Sequence, residues 1–485
     1  MNKKPRRTGP KTRPSRTRPR PRPSIEDRPR PARPQDFKPE ANEPSGPTPY
    51  AAHVAPAGVL AEAAATIALD VEHIVIQEHK RADRAIALAL RRRRDLAAPD
   101  HRFISRAAFA LFRWRGWIEP LRLSKPEARL LLAVLLDSTT VHPVCRVWAK
   151  TLGRDPGGLI ALGDAPNWTA RAEGLKRLMA GHAVTADPWR LFPQWLRESL
   201  PIPPGDQPPK ARFLALLWAL QSRPPLWVRA QGKDENVTWS ALRDLGVNPW
   251  VHRRMIRAAR LDEDVDVYHL EAFKKGELEI QDIAAQAVGL ACDPDPGERW
   301  WDACAGAGGK ALHLAALMVG KGVVVATDVN ERKLLEAVRR ARRSPWRNLT
   351  TKPWDGRHVA GKPGSFDGVL VDAPCSAVGT WRRNPDARWN LDRDAIPRLA
   401  ALQADLLRAA SFGVRPGGAL VYSVCTLTPA ETTDVVRTFL ASHPTFRLDP
   451  FPHPFTGAPT DGTLTIWPTE IDSDAMFVAR MVRSS

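Results

Sequence analysis

Apolar residues recur at three- and four-residue spacing through the first large block of the chain, from about residue 56 to 200. This spacing places them on one face of an α-helix. The segments that carry it are GVLAEAAATIALDVEHIVI, RADRAIALALRRRRDL, RFISRAAFALFRWRGWI and PEARLLLAVLLD. The pattern therefore predicts an all-helical bundle over 56–200.

The pattern then changes twice before residue 291. The proline-rich PIPPGDQPPK begins at Pro201 and is typical of a linker, and ARFLALLWAL after it predicts one helix, so that 201–222 form a linker and helix. From 223 to 290, PLWVRAQ and DVDVYHL are typical of short strands and VTWSALRDLG of a helix. This mixture predicts a small α+β module.

Strand-like and helix-like segments alternate regularly beyond Asp293. The strand-like segments are WWDAC, GVVVATD, FDGVLVDAP and GALVYSVC, and the helical ones are GKALHLAALMVG, NERKLLEAVRRARR, PRLAALQADLLRAASFGV and ETTDVVRTFLAS. Such alternation predicts a Rossmann-like α/β domain over 291–485 with a doubly wound, mostly parallel sheet.

The charge of the chain points to a polyanionic partner. The formal net charge is +19, which makes nucleic acid the leading candidate. Residues 1–49 hold 14 basic and 5 acidic side chains among many prolines. We predict a disordered tail over 1–55 that either tethers RNA or only keeps the chain in solution. The prolines argue against the amphipathic helix of a mitochondrial transit peptide. Arg91–Arg94 are open to two interpretations, a solvated helix end or a phosphate contact.

The cysteines argue against a disulfide framework and against structural zinc. There are five, without a C-x-x-C pair and without histidines at zinc-finger spacing: Cys145, Cys292, Cys304, Cys375 and Cys425. No stretch approaches the roughly 20 apolar residues of a membrane span, and the N-terminus lacks an apolar signal core. We expect a metal-free monomer in a reducing cytoplasm, without membrane association.

A glycine-rich loop lies between the first strand and helix of the Rossmann-like domain. It reads DACAGAGGK from Asp302 to Lys310, and its glycines let backbone N–H groups approach a ligand closely. It is neither a Walker A loop, because Ala311 follows Lys310, nor a clean G-x-G-x-x-G fingerprint. We predict a cofactor cradle made by Cys304, Ala305, Gly306, Ala307, Gly308, Gly309 and Lys310.

Two further aspartates follow the next strands. Asp328 ends VVVATD, where a carboxylate can bind a ribose diol, although it also suits the N-cap of the following helix. Asp355 follows the third strand, where it either meets an adenine amine or forms a plain turn.

The two remaining strands deliver a carboxylate and two thiols to the same edge of the sheet. FDGVLVDAPCS ends in Asp372 and Cys375, and ALVYSVCTLTPAE carries Cys425. Open α/β sheets bind ligands at the carboxyl ends of their strands. A single buried cysteine is usually an inert apolar residue, but two at one edge predict a shared pocket.

Together these motifs resemble the Nol/Nop/Sun family of RNA cytosine-C5 methyltransferases, in particular its RsmB-type branch. ELEIQDIAAQAVGL, DACAGAGGK, DGVLVDAPCSAVGTWRRNPDARW and YSVCTLTPAE stand in the family's order. The resemblance implies a NusB-like helical RNA-binding domain over 56–200, an RRM-like module over 223–290 and a class I methyltransferase over 291–485. Gly306-Ala307 departs from the family's more frequent Ala-Pro.

The resemblance also implies the chemistry. It assigns Cys425 as the nucleophile that adds to cytosine C6, Cys375 to product release, and Asp372 to the base and the cofactor, S-adenosylmethionine. The substrate would be RNA, by resemblance that of the small ribosomal subunit, with the cytosine unpaired or flipped out and Trp381 as a candidate for stacking on it.

Three other functions stay open on the sequence. A non-catalytic RNA-binding assembly factor would not need Cys375, Cys425, Asp372 and the glycine loop. A DNA cytosine methyltransferase would use a Pro-Cys nucleophile such as Cys375. A nicotinamide enzyme is the most distant alternative.

Overall fold

The computed structural model describes residues 55–179, 183–262 and 265–485, so the predicted basic tail falls almost wholly outside the described residues. The first described part is helical. Its helices are α1 (Ala57–Glu78), α2 (Ala82–Arg91), α3 (Ala98–Ile118), α4 (Pro126–Asp137), α5 (Pro143–Thr151), α6 (Trp168–Leu178), α7 (Leu196–Ser199) and α8 (Pro209–Gln221). The predicted helical region is confirmed.

These helices enclose one core rich in alanine, leucine and tryptophan. The indoles of Trp114, Trp117 and Trp148 are fully buried in it. Helix α8, which follows the proline-rich stretch, packs in the same core, since Gln221 donates its side-chain N–H to the carbonyl of Arg113 at 2.6 Å.

The middle of the chain forms a small antiparallel sheet in the order β2-β3-β1-β4. Its elements are β1 (Leu226–Ala230), α9 (Glu235–Asp244), β2 (Trp250–Val251), β3 (Ala258–Leu261), α10 (Glu271–Lys274) and β4 (Leu278–Ile280). The prediction of a strand in DVDVYHL is wrong for residues 265–270, the part of this run that the structure describes. Val267–His269 form one 3₁₀ turn instead, because Val267 reaches the core from the turn without a partner strand.

The C-terminal part holds the large sheet, in the order β10-β12-β9-β8-β5-β6-β7, with β11 added to β12. Its elements are α11 (Ile283–Cys292), β5 (Arg299–Asp302), α12 (Gly309–Leu317), β6 (Val323–Asp328), α13 (Glu331–Arg343), β7 (Leu349–Pro353), β8 (Phe366–Asp372), α14 (Ala387–Asn390), α15 (Ala395–Ser411), β9 (Val414–Val424), α16 (Thr433–Ser442), β10 (Phe446–Leu448), β11 (Thr463–Ile466) and β12 (Met476–Arg483). Strands β5 to β9 are parallel, and β10 to β12 are antiparallel. The predicted mostly parallel α/β sheet is confirmed.

Among the described residues, none of the helices has both the length and the hydropathy needed to cross a bilayer.

Candidate active site

The candidate site lies at the carboxyl ends of four neighbouring parallel strands. Asp302 ends β5, Asp328 ends β6, Asp372 ends β8, and Cys425 directly follows β9. Because these strands run in one direction, the apolar patterns that bury them also bring their terminal side chains to one edge.

The predicted cofactor cradle is a tight loop between β5 and α12. Gly306 and Gly308 have φ values of +56° and +83°, which favour glycine. A Cβ atom on Gly308 would stand 2.9 Å from that of Ala337. The N–H of Gly306 donates to the Asp328 carboxylate at 2.9 Å, which fixes the loop against β6. The loop therefore presents backbone at the sheet edge with little side-chain bulk.

Lys310 of this loop pairs with Asp372. Their Nζ and Oδ2 atoms lie 2.6 Å apart, and the other Asp372 oxygen accepts a hydrogen bond from the Ser423 hydroxyl at 2.7 Å. Burial opposes the charge of Lys310, but the attraction of Asp372 and Cys425 outweighs it and raises the pKa of the ammonium. Lys310 therefore stays a cation beside both groups.

The two predicted catalytic thiols meet. The Sγ atoms of Cys375 and Cys425 lie 3.4 Å apart, although 50 residues separate them in the chain. The hydrogen bond to Cys425 and then burial raise the pKa of Cys375 well above its usual range. Cys375 is accordingly held as a neutral thiol.

Sequence reasoning missed the residue that ties the two thiol loops together. Glu431 is fully buried and accepts hydrogen bonds from the N–H of Ser376 at 2.8 Å and from the hydroxyl of Thr428 at 2.6 Å. It also contacts the Ser376 and Thr426 hydroxyls and the Gln403 amide. The sequence does contain a signal for this role: hydroxyl residues follow each cysteine, and an acidic residue stands three positions beyond Thr428.

Asp302 is a second residue that sequence reasoning left without a role. Both of its carboxylate oxygens are buried without a hydrogen bond of ordinary geometry. Burial, and then the nearby Asp372, raise the pKa of Asp302 to about 8. An enclosed carboxyl group of this kind fits a cationic ligand that would compensate its charge.

Asp328 and Asp355, which the sequence leaves open to a ligand-binding or a purely structural role, have different surroundings. Asn330, not Asp328, caps α13, because its side-chain oxygen accepts from the backbone N–H groups of Arg332 and Lys333. The N-cap interpretation of Asp328 is therefore wrong. Asp355 is half exposed and accepts from the N–H of Arg357 at 2.9 Å, the main cause that lowers its pKa. It forms a turn with His358, while its contact with an adenine stays a prediction.

The prediction that Trp381 stacks on the substrate base is wrong. Its side chain is 0 % exposed and packs edge-on against Trp195 of the helical region, with ring centroids 6.1 Å apart. Neighbouring Arg382 and Arg388 are equally buried and donate to backbone carbonyls of residues 191–223. The segment after Cys375 thus enters the core of the helical region, which removes its aromatic ring from solvent.

The arrangement fits S-adenosylmethionine. That molecule combines a sulfonium and an ammonium with a ribose diol, and the edge offers the enclosed Asp302, the ion-paired Asp372 and the loop-bound Asp328. Val329, next to Asp328, is 81 % exposed and offers apolar surface for an adenine. In the described ranges, no group of three His, Cys, Asp or Glu side chains suits a metal ion.

Known proteins resemble this chain in sequence and in fold. A sequence model described as "16S rRNA methyltransferase RsmB/F" matches residues 289–482. Ribosomal RNA small subunit methyltransferase B of Salmonella paratyphi B is 33 % identical over 305 residues, which cover 62 % of this chain and 68 % of that protein, and the Salmonella enteritidis protein matches equally. The crystal structure of PH0851 has the same fold, with a TM-score of 0.66, 23 % identity, and coverage of 86 % of this chain and 98 % of that one.

The fold and the site define an S-adenosylmethionine-dependent methyltransferase. The relatives specify the class further, because this chain covers 68 % of their length at 33 % identity. The chain belongs to the RsmB/F family of ribosomal RNA methyltransferases.

Proposed function

We propose that this enzyme forms 5-methylcytosine in the RNA of the small ribosomal subunit through a covalent bond between Cys425 and cytosine C6. The observation that carries the proposal is the pair of thiols, Cys375 and Cys425, whose sulfurs lie 3.4 Å apart at the carboxyl edge of the sheet. A single methyl transfer to an already nucleophilic atom would not need two thiols, whereas C5 of cytosine must first be activated.

Cys425 is the better nucleophile of the two. The raised pKa of Cys375 keeps its proton in place, so that its S–H donates toward the Cys425 sulfur. The buried Lys310 cation, whose pKa is raised in part by Cys425, provides a positive charge near the attacking sulfur. The Cys425 thiolate adds to C6, and the electron pair of the C5–C6 bond becomes available at C5.

Asp372 and Lys310 position the base during this addition. One Asp372 oxygen accepts from the exocyclic amino group of the cytosine, while Ser423 and Lys310 hold the carboxylate in place. Lys310, 2.6 Å from Asp372, donates toward the ring where negative charge develops. S-adenosylmethionine supplies the methyl group from its sulfonium.

The release step uses Cys375. Once Cys425 is bonded to carbon, its sulfur is a weaker acceptor for the hydrogen bond that is the largest cause of the raised pKa of Cys375, so Cys375 can lose its proton to solvent. It then takes the C5 proton of the methylated adduct. The C5–H electron pair restores the C5–C6 double bond, and Cys425 leaves as a thiolate.

The other parts of the chain present the RNA. The helical bundle at 56–200 acts as a NusB-like RNA-binding domain, the antiparallel module at 223–290 as an RRM-like one, and the basic tail as a tether. The target cytosine is unpaired or flipped out, because its C6 is unreachable inside a helix. Free thiols at Cys375 and Cys425 suit a reducing cytoplasm, since oxidation would join them, and the enzyme acts there as a monomer.

Methylation of a small-subunit RNA transcript with labelled cofactor tests the proposal. Digestion of the product and mass spectrometry should find the label only in 5-methylcytidine, and the Cys425→Ala variant should give none. Label on another nucleoside would contradict the proposed function. So would the absence of label when the wild-type enzyme is given ribosomal RNA in every assembly state.

A further inference from the structure

One broad face of the small antiparallel sheet is closed by the methyltransferase region. Trp227 on β1 is buried and donates its indole N–H to the carbonyl of Asp472 at 2.7 Å. Arg229, two residues on and on the same face, is also buried and donates to Gln281. A nucleic acid therefore cannot lie across this face of the sheet.

The edge of the same face is open. Strand register pairs Trp227 with Arg260, and Arg260 with Trp250 on the edge strand β2, so these three side chains share one side of the sheet. Trp250 is 37 % exposed. It contacts Trp227 edge-on, with ring centroids 6.0 Å apart, and the Arg260 guanidinium lies 5.7 Å from its ring. An indole is thus held in a fixed orientation at the surface.

The charge around Trp250 is strongly positive. Residues 250–260 contain four arginines and no carboxylate. Arg253, Arg254 and Arg260 are exposed, and in the part of the chain that the structure describes none of them forms an ion pair. Exposed cations that form no ion pair can contact phosphates, and the exposed part of a fixed aromatic ring beside them can contact a base.

We propose that the edge formed by Trp250, Arg253, Arg254 and Arg260 binds a single-stranded segment of the substrate RNA that flanks the target cytosine. One base stacks on Trp250, and the arginines contact the adjoining phosphates. This inference rests on the proposed function, because it takes RNA as the substrate. It adds a sequence-tolerant contact outside the catalytic pocket, in which the stacking surface is the sheet edge and not its closed face.

Trp250→Ala and Arg253→Glu test this surface in the full-length enzyme, with a small-subunit RNA transcript as the probe. Removal of a stacking side chain should lower RNA affinity about 5- to 100-fold. KM for RNA should rise by a similar factor, with kcat at saturating RNA and cofactor affinity unchanged. Arg253→Glu should weaken binding and also reduce the dependence of affinity on salt.

Two controls separate a contact from a structural role. Trp250→Phe retains an aromatic face and should keep most of the affinity. Tyr268→Ala removes an aromatic ring that is 67 % exposed in the same module and should leave RNA binding unchanged.

Unchanged RNA affinity in both Trp250→Ala and Arg253→Glu would overturn the inference. If Trp250→Ala does not fold, Arg253→Glu still decides, because unchanged RNA affinity and salt dependence in that variant would overturn the inference. Failure of this surface is distinct from failure of the proposed function, because the latter would appear as missing 5-methylcytosine with the wild-type enzyme.

Discussion

Glu431 accepts a hydrogen bond from the backbone N–H of Ser376, the residue that follows Cys375, at 2.8 Å. The same carboxylate accepts from Thr428, three residues after Cys425. One buried side chain therefore connects the loops of both thiols, whose sulfur atoms lie 3.4 Å apart.

Replacement of this carboxylate should affect both stability and rate. Glu431→Gln replaces one acceptor oxygen by an amide N–H₂ group, which then faces other donors. This should cost about 1.5 to 3 kcal/mol of unfolding free energy. Displaced thiols should lower kcat on the order of 10- to 100-fold. Thermal melts and single-turnover methylation measure these effects. Glu336→Gln, on an exposed helix face, is the matched control, and a variant as active and stable as the control would refute this positioning role.

The roles of Asp328 and Asn330 can be separated by two alanine variants. We propose that the Asp328 carboxylate bonds the ribose diol of S-adenosylmethionine, so Asp328→Ala should weaken cofactor binding by roughly 1 to 3 kcal/mol. Asn330→Ala removes the N-cap of α13 and should cost about 1 kcal/mol of stability with little change in cofactor affinity. Calorimetric titration beside thermal melts distinguishes them, and equal cofactor affinities in the two variants would contradict the assignment of Asp328.

The enclosed carboxyl group of Asp302 predicts a pH dependence. Its pKa of about 8 in the folded chain lies above that of an unfolded aspartate, so the folded state binds the extra proton between about pH 4 and 8. Stability should therefore fall as pH rises through this window. Binding of the cationic cofactor should tighten over pH 6–8, because it favours the ionised carboxylate. Asp302→Asn should flatten both profiles, measured by melts and titration at several pH values. Profiles identical to those of the wild type would exclude Asp302 as their cause.

The N-terminal tail should contribute to RNA affinity by charge alone. Residues 1–49 supply +9 of the total charge of +19. Their deletion should weaken RNA binding and reduce the slope of log affinity against log salt, while cofactor affinity stays unchanged. An unchanged salt slope would leave the tail with a solubilising role only.

Much of the site could be predicted because neighbouring parallel strands bring their terminal residues together. Each buried strand ends at the same edge, so the positions of Asp372 and Cys425 followed from the apolar runs before them. The environment of a side chain outside such a strand did not follow. Trp381 stands close to Cys375 in sequence, yet it is buried against Trp195 of the distant helical region. The sequence around Trp381 does not indicate that contact.

The same limit applies to the small sheet and to Glu431. The β3 and β4 strands have three or four residues each, too few to show a period, and they are stabilised by pairing with β1. Glu431 has its role only because two chain-distant loops converge on it. Tertiary contacts decided these features, whereas hydrophobic periodicity decided the helices and the parallel strands.

Trapping of the covalent intermediate shows which of the two cysteines attacks cytosine C6. Cys375→Ala and Cys425→Ala are each incubated with substrate RNA and S-adenosylmethionine and run on a denaturing gel. Cys375→Ala should attack and methylate but release slowly, so a protein–RNA band that resists denaturation should appear. Cys425→Ala should form no such band and transfer no methyl group. A band with Cys425→Ala and none with Cys375→Ala would reverse the two roles, and wild-type methylation by both variants without any band would contradict covalent catalysis by these cysteines.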